Sequence, residues 1–131
     1  MIVGPDHTAL EDREEILGGV AVIAVATAEL AVAVQRRFVA GELAPDIVVE
    51  ILSPGNNAKE IKIKYDLYEE FGVKEYWVVY PNELSLLKYV LKEGKFISEG
   101  RALTVGDRVT TPILPGFELA LDDVFRNLNI N

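Results

Sequence analysis

Three charged residues, Glu50, Glu60 and Lys64, stand where the pattern around them calls for apolar side chains. Glu50 lies near the middle of Asp46-Ile47-Val48-Val49-Glu50-Ile51-Leu52, an almost continuous apolar, β-branched run bounded by Pro45 and by Ser53-Pro54-Gly55. Such a run is expected of a strand buried on both faces. Glu60 and Lys64 belong to the stretch from Asn57 to Phe71, which reads as a helix capped by Asn57 and stopped by Gly72. At about 100° per residue, Ile61, Ile63, Tyr65, Leu67, Tyr68 and Phe71 fall on one broad arc, and Glu60 and Lys64 lie inside it. Lys59, Lys62, Asp66, Glu69 and Glu70 share the opposite arc. An unpartnered ion on a buried face costs several kcal/mol. A strand carboxylate and the ammonium of a helix packed over it should therefore meet each other or a cation. Buried, convergent charges of this kind mark a candidate site, and the chemistry that suits them is metal binding.

Spacing limits which carboxylates can cooperate. Asp46 and Glu50 are four apart on one strand, on the same face but roughly 13 Å from each other at the usual rise. Ligand oxygens around Mg²⁺ all lie about 2.1 Å from the ion, so these two cannot share one. Asp46, beside Pro45, reads instead as a strand-end or turn residue. Glu50 needs a second carboxylate from a neighbouring strand, and Glu29, in Ala28-Glu29-Leu30-Ala31-Val32, is the acidic residue placed to supply it. Glu60 has a competing explanation. It stands three residues after Asn57, where a glutamate reaches back to the cap's own N–H. Lys64, four residues after Glu60, could form an i,i+4 ion pair with it, but Ile61, Tyr68 and Phe71 around it argue against a purely exposed pair. Tyr68 reads as a core aromatic with its hydroxyl near the site's edge.

These residues must be positioned by a sheet and a crossing helix. Glu75-Tyr76-Trp77-Val78-Val79-Tyr80 is a second strand-like run, ended by Pro81-Asn82. Strand, helix and strand make a βαβ unit with parallel strands in one sheet. Ser85 to Leu91 and Phe96 to Ser98, separated by Lys92-Glu93-Gly94-Lys95, read as a hairpin at the sheet's edge. Thr111 to Phe117 reads as extended, and Leu121 to Leu128 as a short closing helix. Upstream, the charged run Asp12 to Glu15 could open a helix, while Gly19 to Val34, with Val22, Ala24, Ala26 and then Leu30, Val32, Val34 at period two, favours strands.

Composition narrows the function classes. The 131 residues, half of them hydrophobic, are enough for one ordered domain with a real core. With no cysteine, disulfides, thiolate zinc sites and cysteine nucleophiles are excluded, and a single histidine, His7, leaves little room for a histidine-based metal site or a serine triad, so any metal should be held by oxygen. The balance of 21 acidic against 13 basic residues, net −8, argues against coating nucleic acid through bulk charge. It leaves room for a local basic patch at Lys59, Lys62, Lys64 and Lys74, although Asp66, Glu69, Glu70 and Glu75 alternate with them. Lys59 and Lys62 read better as a solvated face of mixed sign. Gly18 to Val34 is shorter than the ~20 residues of a membrane span and is interrupted by Glu29, so no membrane association is expected. The acidic run before it is wrong for a signal peptide, and a cytoplasmic protein is expected.

The block from Ala44 to Pro54, followed by Lys64 and Tyr68, then Gly72-Val73-Lys74-Glu75-Tyr76-Trp77, Leu114-Pro115-Gly116-Phe117 and Asp123-Val124-Phe125, resembles the Uma2 family of bacterial proteins in the PD-(D/E)XK nuclease superfamily. The resemblance implies an α/β fold: a restriction-endonuclease-like mixed sheet with a βαβ core, an added C-terminal hairpin, and an N-terminal part that is truncated or divergent. It implies a single domain over residues 1–131, recognisable over 44–125 and divergent over 1–43. It further implies a metal-dependent endonuclease acting on DNA. Glu50 and Glu29, with the Ile51 carbonyl, would hold Mg²⁺ or Mn²⁺, and Lys64 would supply the catalytic lysine from the helix, because Leu52 occupies the place a Glu-x-Lys motif would give it. Two alternatives stand beside this. One is a noncatalytic nuclease-fold module for binding or self-association through an exposed sheet edge, giving a homo-oligomer. The other is a structural domain in which Glu50 and Lys64 form a buried ion pair.

Overall fold

A computed structural model describes residues 13–17, 20–25, 44–52 and 58–126. Its centre is a mixed sheet built from β1 (Arg13–Leu17), β2 (Val20–Val25), β3 (Ile47–Ile51), β4 (Glu75–Tyr80), β5 (Ser85–Lys92) and β6 (Lys95–Ser98), neighbours in that order, with β7 (Leu103–Thr104) also pairing with β5. β2, β3 and β4 run parallel, and the remaining pairs are antiparallel. This is the mixed α/β architecture expected. Between β3 and β4 the chain crosses over as helix α1 (Ala58–Glu70), completing the βαβ unit.

Local chemistry explains how α1 hands the chain to β4. Gly72 takes φ +81°, a left-handed conformation that costs glycine little. The Val73 N–H reaches the Tyr68 carbonyl at 3.1 Å and the Gly72 N–H reaches that of Glu69 at 3.2 Å, which is the paired closure of a Schellman motif. Val73 and Tyr68 share one buried cluster, supplying the motif's apolar contact. The N–H groups of Lys74 and Glu75 then both donate to the Asp46 carbonyl, pinning the start of β4 to that of β3. The β5–β6 hairpin turns through Glu93 and Gly94, both at positive φ, the signature of a tight turn matched to strand twist.

Each face of the sheet carries its own core. Under α1, Val48, Tyr68, Val73, Tyr76, Val78 and Phe96 are buried together. On the opposite face, Ile47, Trp77, Val79 and Leu86 pack beneath a C-terminal arm of β8 (Arg108–Thr110), β9 (Glu118–Ala120) and helix α2 (Leu121–Arg126), which contributes Val109, Leu121 and Phe125. The βαβ unit, the hairpin and the closing helix are as expected from the sequence.

Several expectations need correction. The charged run around Asp12 to Glu15 opens no helix: residues from Arg13 form β1, antiparallel to β2, because pairing along β2 outweighs the local charge pattern. Of the Gly19 to Val34 run, Val20–Val25 is a strand, and the part from residue 26 lies outside the described residues. Thr111 to Phe117 is not extended but folds into consecutive turns, closed by Leu114 N–H to Thr111 O at 3.2 Å and Phe117 N–H to Leu114 O at 3.0 Å. On α1 Tyr68 is buried, and Ile61, Lys64 and Tyr65, at i, i+3 and i+4 before it at i+7, are half-buried. Ile63, about 140° around the helix from Tyr68, is 56% exposed, and Glu60 is exposed as well. The apolar arc is therefore narrower than the sequence suggested. Among the described residues, no helix is long and apolar enough to cross a membrane.

Candidate functional site

The parallel register of β3 and β4 sets Val48 opposite Tyr76 and Glu50 opposite Val78, so Glu50 and Tyr76 project to the face that α1 covers. Glu50 is 2% exposed. Its Oε2 accepts a hydrogen bond from Lys64 Nζ at 2.5 Å, and its Oε1 accepts one from the Tyr76 hydroxyl at 2.7 Å. The strand carboxylate and the helix ammonium thus meet. Lys64 turns away from an i,i+4 partnership and crosses to the sheet because its place in the stripe Ile61, Lys64, Tyr65, Tyr68 aims it there. Its side chain keeps 20% of its surface exposed, so the pair sits at the margin of the core.

Aromatic rings wall this pair on the inner side. Tyr76 meets Tyr68 edge-on at 5.1 Å and stacks against Phe96 at 5.9 Å and Tyr89 at 6.2 Å. Burial first, then the Glu50 charge and its hydrogen bond, push the Tyr76 phenol far above the usual tyrosine range; burial and then the Glu50 charge do the same to Tyr68. The upward direction favours the protonated phenol, the form in which Tyr76 donates to Glu50 Oε1.

The other residues singled out from the sequence fall as follows. Asp46 sits just before β3 and pairs with Lys74 at 3.0 Å, a strand-end role. Lys62 pairs with Asp66 at 2.8 Å on the exposed side of α1, as a solvated mixed face requires. With Lys62, Lys64 and Lys74 each matched to a carboxylate, the basic patch is largely neutralised. Glu29, Asn57 and His7 lie outside the described residues. Ile51 ends β3 directly after Glu50.

Whether a cation suits this centre can be judged from its donors. Glu50 is a hard oxygen ligand of the kind Mg²⁺ takes, and it fits one ligand position. Both its oxygens already have partners, so a cation would compete with Lys64 for Oε2. Among the described residues, no group of three or more His, Cys, Asp and Glu could hold a metal ion, and no buried side-chain nitrogen or oxygen lacks a hydrogen-bond partner.

Sequence reasoning misses a second buried carboxylate. Glu75, which reads as the first residue of a strand and as one of the acids alternating with the lysines, is 1% exposed on the opposite face of β4. Its Oε1 accepts from Trp77 Nε1 at 2.9 Å and its Oε2 from Thr111 Oγ1 at 2.5 Å. Lys88 Nζ lies 3.9 Å from it and is itself bound to the Thr110 carbonyl at 2.7 Å and to Glu99 at 2.9 Å. Tyr76 reads from the sequence only as a strand aromatic. The signal that could have found it is its period-two alignment, across parallel strands, with a misplaced acid.

Comparison with known proteins gives the family of the chain. The model of the family Uma2, described as "Putative restriction endonuclease", matches residues 22–122, which include β3, α1 and β4. Among solved structures, the chain is similar to a protein titled "putative nuclease belonging to DUF820" from Anabaena variabilis ATCC 29413, at 22% identity and a TM-score of 0.53. The match covers 64% of this chain and 45% of that one, so the chain spans under half the length of the solved protein. No curated protein matches the chain. The nuclease-like mixed sheet is common to both, and over the greater part of its length this chain belongs to the Uma2 family.

Proposed function

We propose that the chain is a divalent-metal-dependent nuclease of the Uma2 type that hydrolyses phosphodiester bonds in DNA, with its centre at Glu50 and Lys64. The observation that carries this reading is a buried strand carboxylate paired at 2.5 Å with a lysine from the following helix, inside a match to a family described as a restriction endonuclease. Mg²⁺ or Mn²⁺ would be held by Glu50, Glu29 and the Ile51 carbonyl, and when bound it supplies charge to polarise a phosphate and to acidify a water. Glu50 presents its carboxylate from a rigid central strand. Lys64, at the exposed margin, places an ammonium where negative charge develops on the phosphate oxygens. The cytoplasmic location expected from the sequence belongs to this same proposal.

A plasmid-nicking assay tests it. Cleavage should require Mg²⁺ or Mn²⁺, stop with chelator, disappear in Glu50→Ala and fall strongly in Lys64→Ala. Cleavage undiminished by chelator or by Glu50→Ala would overturn the assignment, while equal activity in Lys64→Ala would remove only the lysine from it.

A second reading is favoured by the full occupancy of both Glu50 oxygens. In it, the pair closes the core of a noncatalytic module, which would self-associate through the β1 end of the sheet. That protein would bind no divalent ion and cleave nothing.

A further inference from the structure

We infer that Tyr76 is a positioning residue: its hydroxyl fixes the Glu50 carboxylate with Oε1 turned into the core, leaving Oε2 as the oxygen that faces Lys64. The inference deepens the nuclease reading and, for its catalytic consequence, rests on it. Three observations carry it. First, the two oxygens have chemically different partners, a neutral hydroxyl at 2.7 Å and an ammonium at 2.5 Å. Second, the donor cannot swing away. Tyr76 is fully buried, its ring stacks on Phe96 and Tyr89, and Tyr68 and Tyr65 abut it edge-on at 5.1 and 6.4 Å. Third, the acceptor strand is equally fixed, since β3 is paired on both sides and Tyr76 sits on the adjoining strand. A hydroxyl held so rigidly removes the carboxylate's freedom to rotate about its terminal bond. Lys64 comes from a helix margin and has no such fixation, so the direction of Oε2 is set from the Tyr76 side.

Tyr76 touches no substrate in this arrangement, and its loss should act on turnover through misplacement of Glu50. Tyr76→Phe retains the ring and removes only the donor. Its kcat for DNA nicking should fall on the order of ten- to a hundredfold, with KM unchanged. Tyr89→Phe, altering a ring of the same cluster, should leave kcat as in the wild type. A readout independent of activity is the carboxyl carbon resonance of Glu50 in protein labelled with ¹³C at the glutamate carboxyl groups. Without metal, that resonance should shift in Tyr76→Phe and stay in place in Tyr89→Phe. Should Tyr76→Phe fail to fold, the Tyr76 hydroxyl proton in the wild type should exchange slowly and move upfield in Glu50→Gln.

An unmoved Glu50 resonance in folded Tyr76→Phe, or a rapidly exchanging hydroxyl proton, overturns the inference whatever the activity. An active wild type with equal kcat in Tyr76→Phe overturns it and leaves the nuclease reading intact. A shifted resonance in a protein that cleaves nothing overturns the nuclease reading and sustains the positioning of Glu50 by Tyr76.

Discussion

Two glutamates are buried in adjacent strands of one sheet, and they are held in opposite ways. Glu75 faces the C-terminal arm, and both its oxygens are bound by neutral donors from fixed positions, Trp77 Nε1 and Thr111 Oγ1, with Lys88 at 3.9 Å. Lys88 is itself tied to the Thr110 carbonyl and to Glu99, so this network spans β4, β5 and the segment after β8. Glu50 faces α1 and has one neutral donor, Tyr76, while its second oxygen depends on an ammonium at the protein's margin. The first arrangement ties elements together from every side. The second leaves one oxygen matched only to a cation, the one kind of partner that another cation can replace. A buried carboxylate is therefore not by itself a sign of function; what distinguishes a site is whether its partners are all structural.

The largest expected effect comes from breaking the Glu75 network. Glu75→Ala strands the Trp77 indole N–H and the Thr111 hydroxyl and deprives Lys88 of a counter-charge. The loss should be toward the lower end of ~3–5 kcal/mol, since Lys88 keeps Glu99. Glu50→Ala in metal-free protein should cost less, about 1–2 kcal/mol, because Lys64 can turn to water and only the Tyr76 hydroxyl is stranded. Urea unfolding of both variants measures the contrast, and equal losses would erase the distinction drawn between the two carboxylates.

A smaller effect belongs to a third carboxylate, at the surface. Asp107 accepts two hydrogen bonds from the Arg101 guanidinium, at 2.7 and 2.9 Å, and one from the Thr104 N–H at 2.9 Å. The Arg101 bonds first, then the Thr104 bond, lower its pKa to about 2 from the ordinary 3.8. A carboxylate whose folded pKa is depressed stabilises the fold above its unfolded pKa, and that share is lost as pH falls from about 4 through about 2. Asp107→Asn should therefore flatten the acid limb of stability over that window, by removing at neutral pH the share that the wild type loses in acid. An acid limb as steep in Asp107→Asn as in the wild type would assign it to other carboxylates.

What can be read from the sequence follows from how locally each signal is written. Glu50 and Lys64 stand out because each interrupts an apolar pattern whose period is set by its own element, and the βαβ order then has to bring them together. Glu75 is hidden by its neighbourhood: it follows Glu69, Glu70 and Lys74, so it reads as part of a mixed-charge surface, and its partner Thr111 lies 36 residues away. Lys88 carries the same signal as Glu50, a charge flanked by Leu86, Leu87, Tyr89 and Val90, but on a hairpin strand expected at the sheet's edge a lysine passes for a solvent-facing residue. Tyr76 gives no signal of its own, since an aromatic in a strand is ordinary core, and its hydroxyl acquires a role only through the register of β3 and β4. The turns from Thr111 to Phe117 read as extended because two prolines suggest an extended chain, whereas the Thr111 and Leu114 carbonyls close local turns there.

The central claim, that Glu50 is held for a cation and not for stability, is tested most directly by the melting of wild type and Glu50→Gln with and without Mg²⁺. In that variant the side-chain amide oxygen would still accept from Tyr76, so the metal-free protein should melt at or above the wild-type temperature. Mg²⁺ at about tenfold excess over its Kd should stabilise the wild type by ~1.4 kcal/mol and leave Glu50→Gln unmoved. A metal-free variant weakened by ~3–5 kcal/mol, with neither protein responding to Mg²⁺, would contradict the claim and make the pair with Lys64 a structural one.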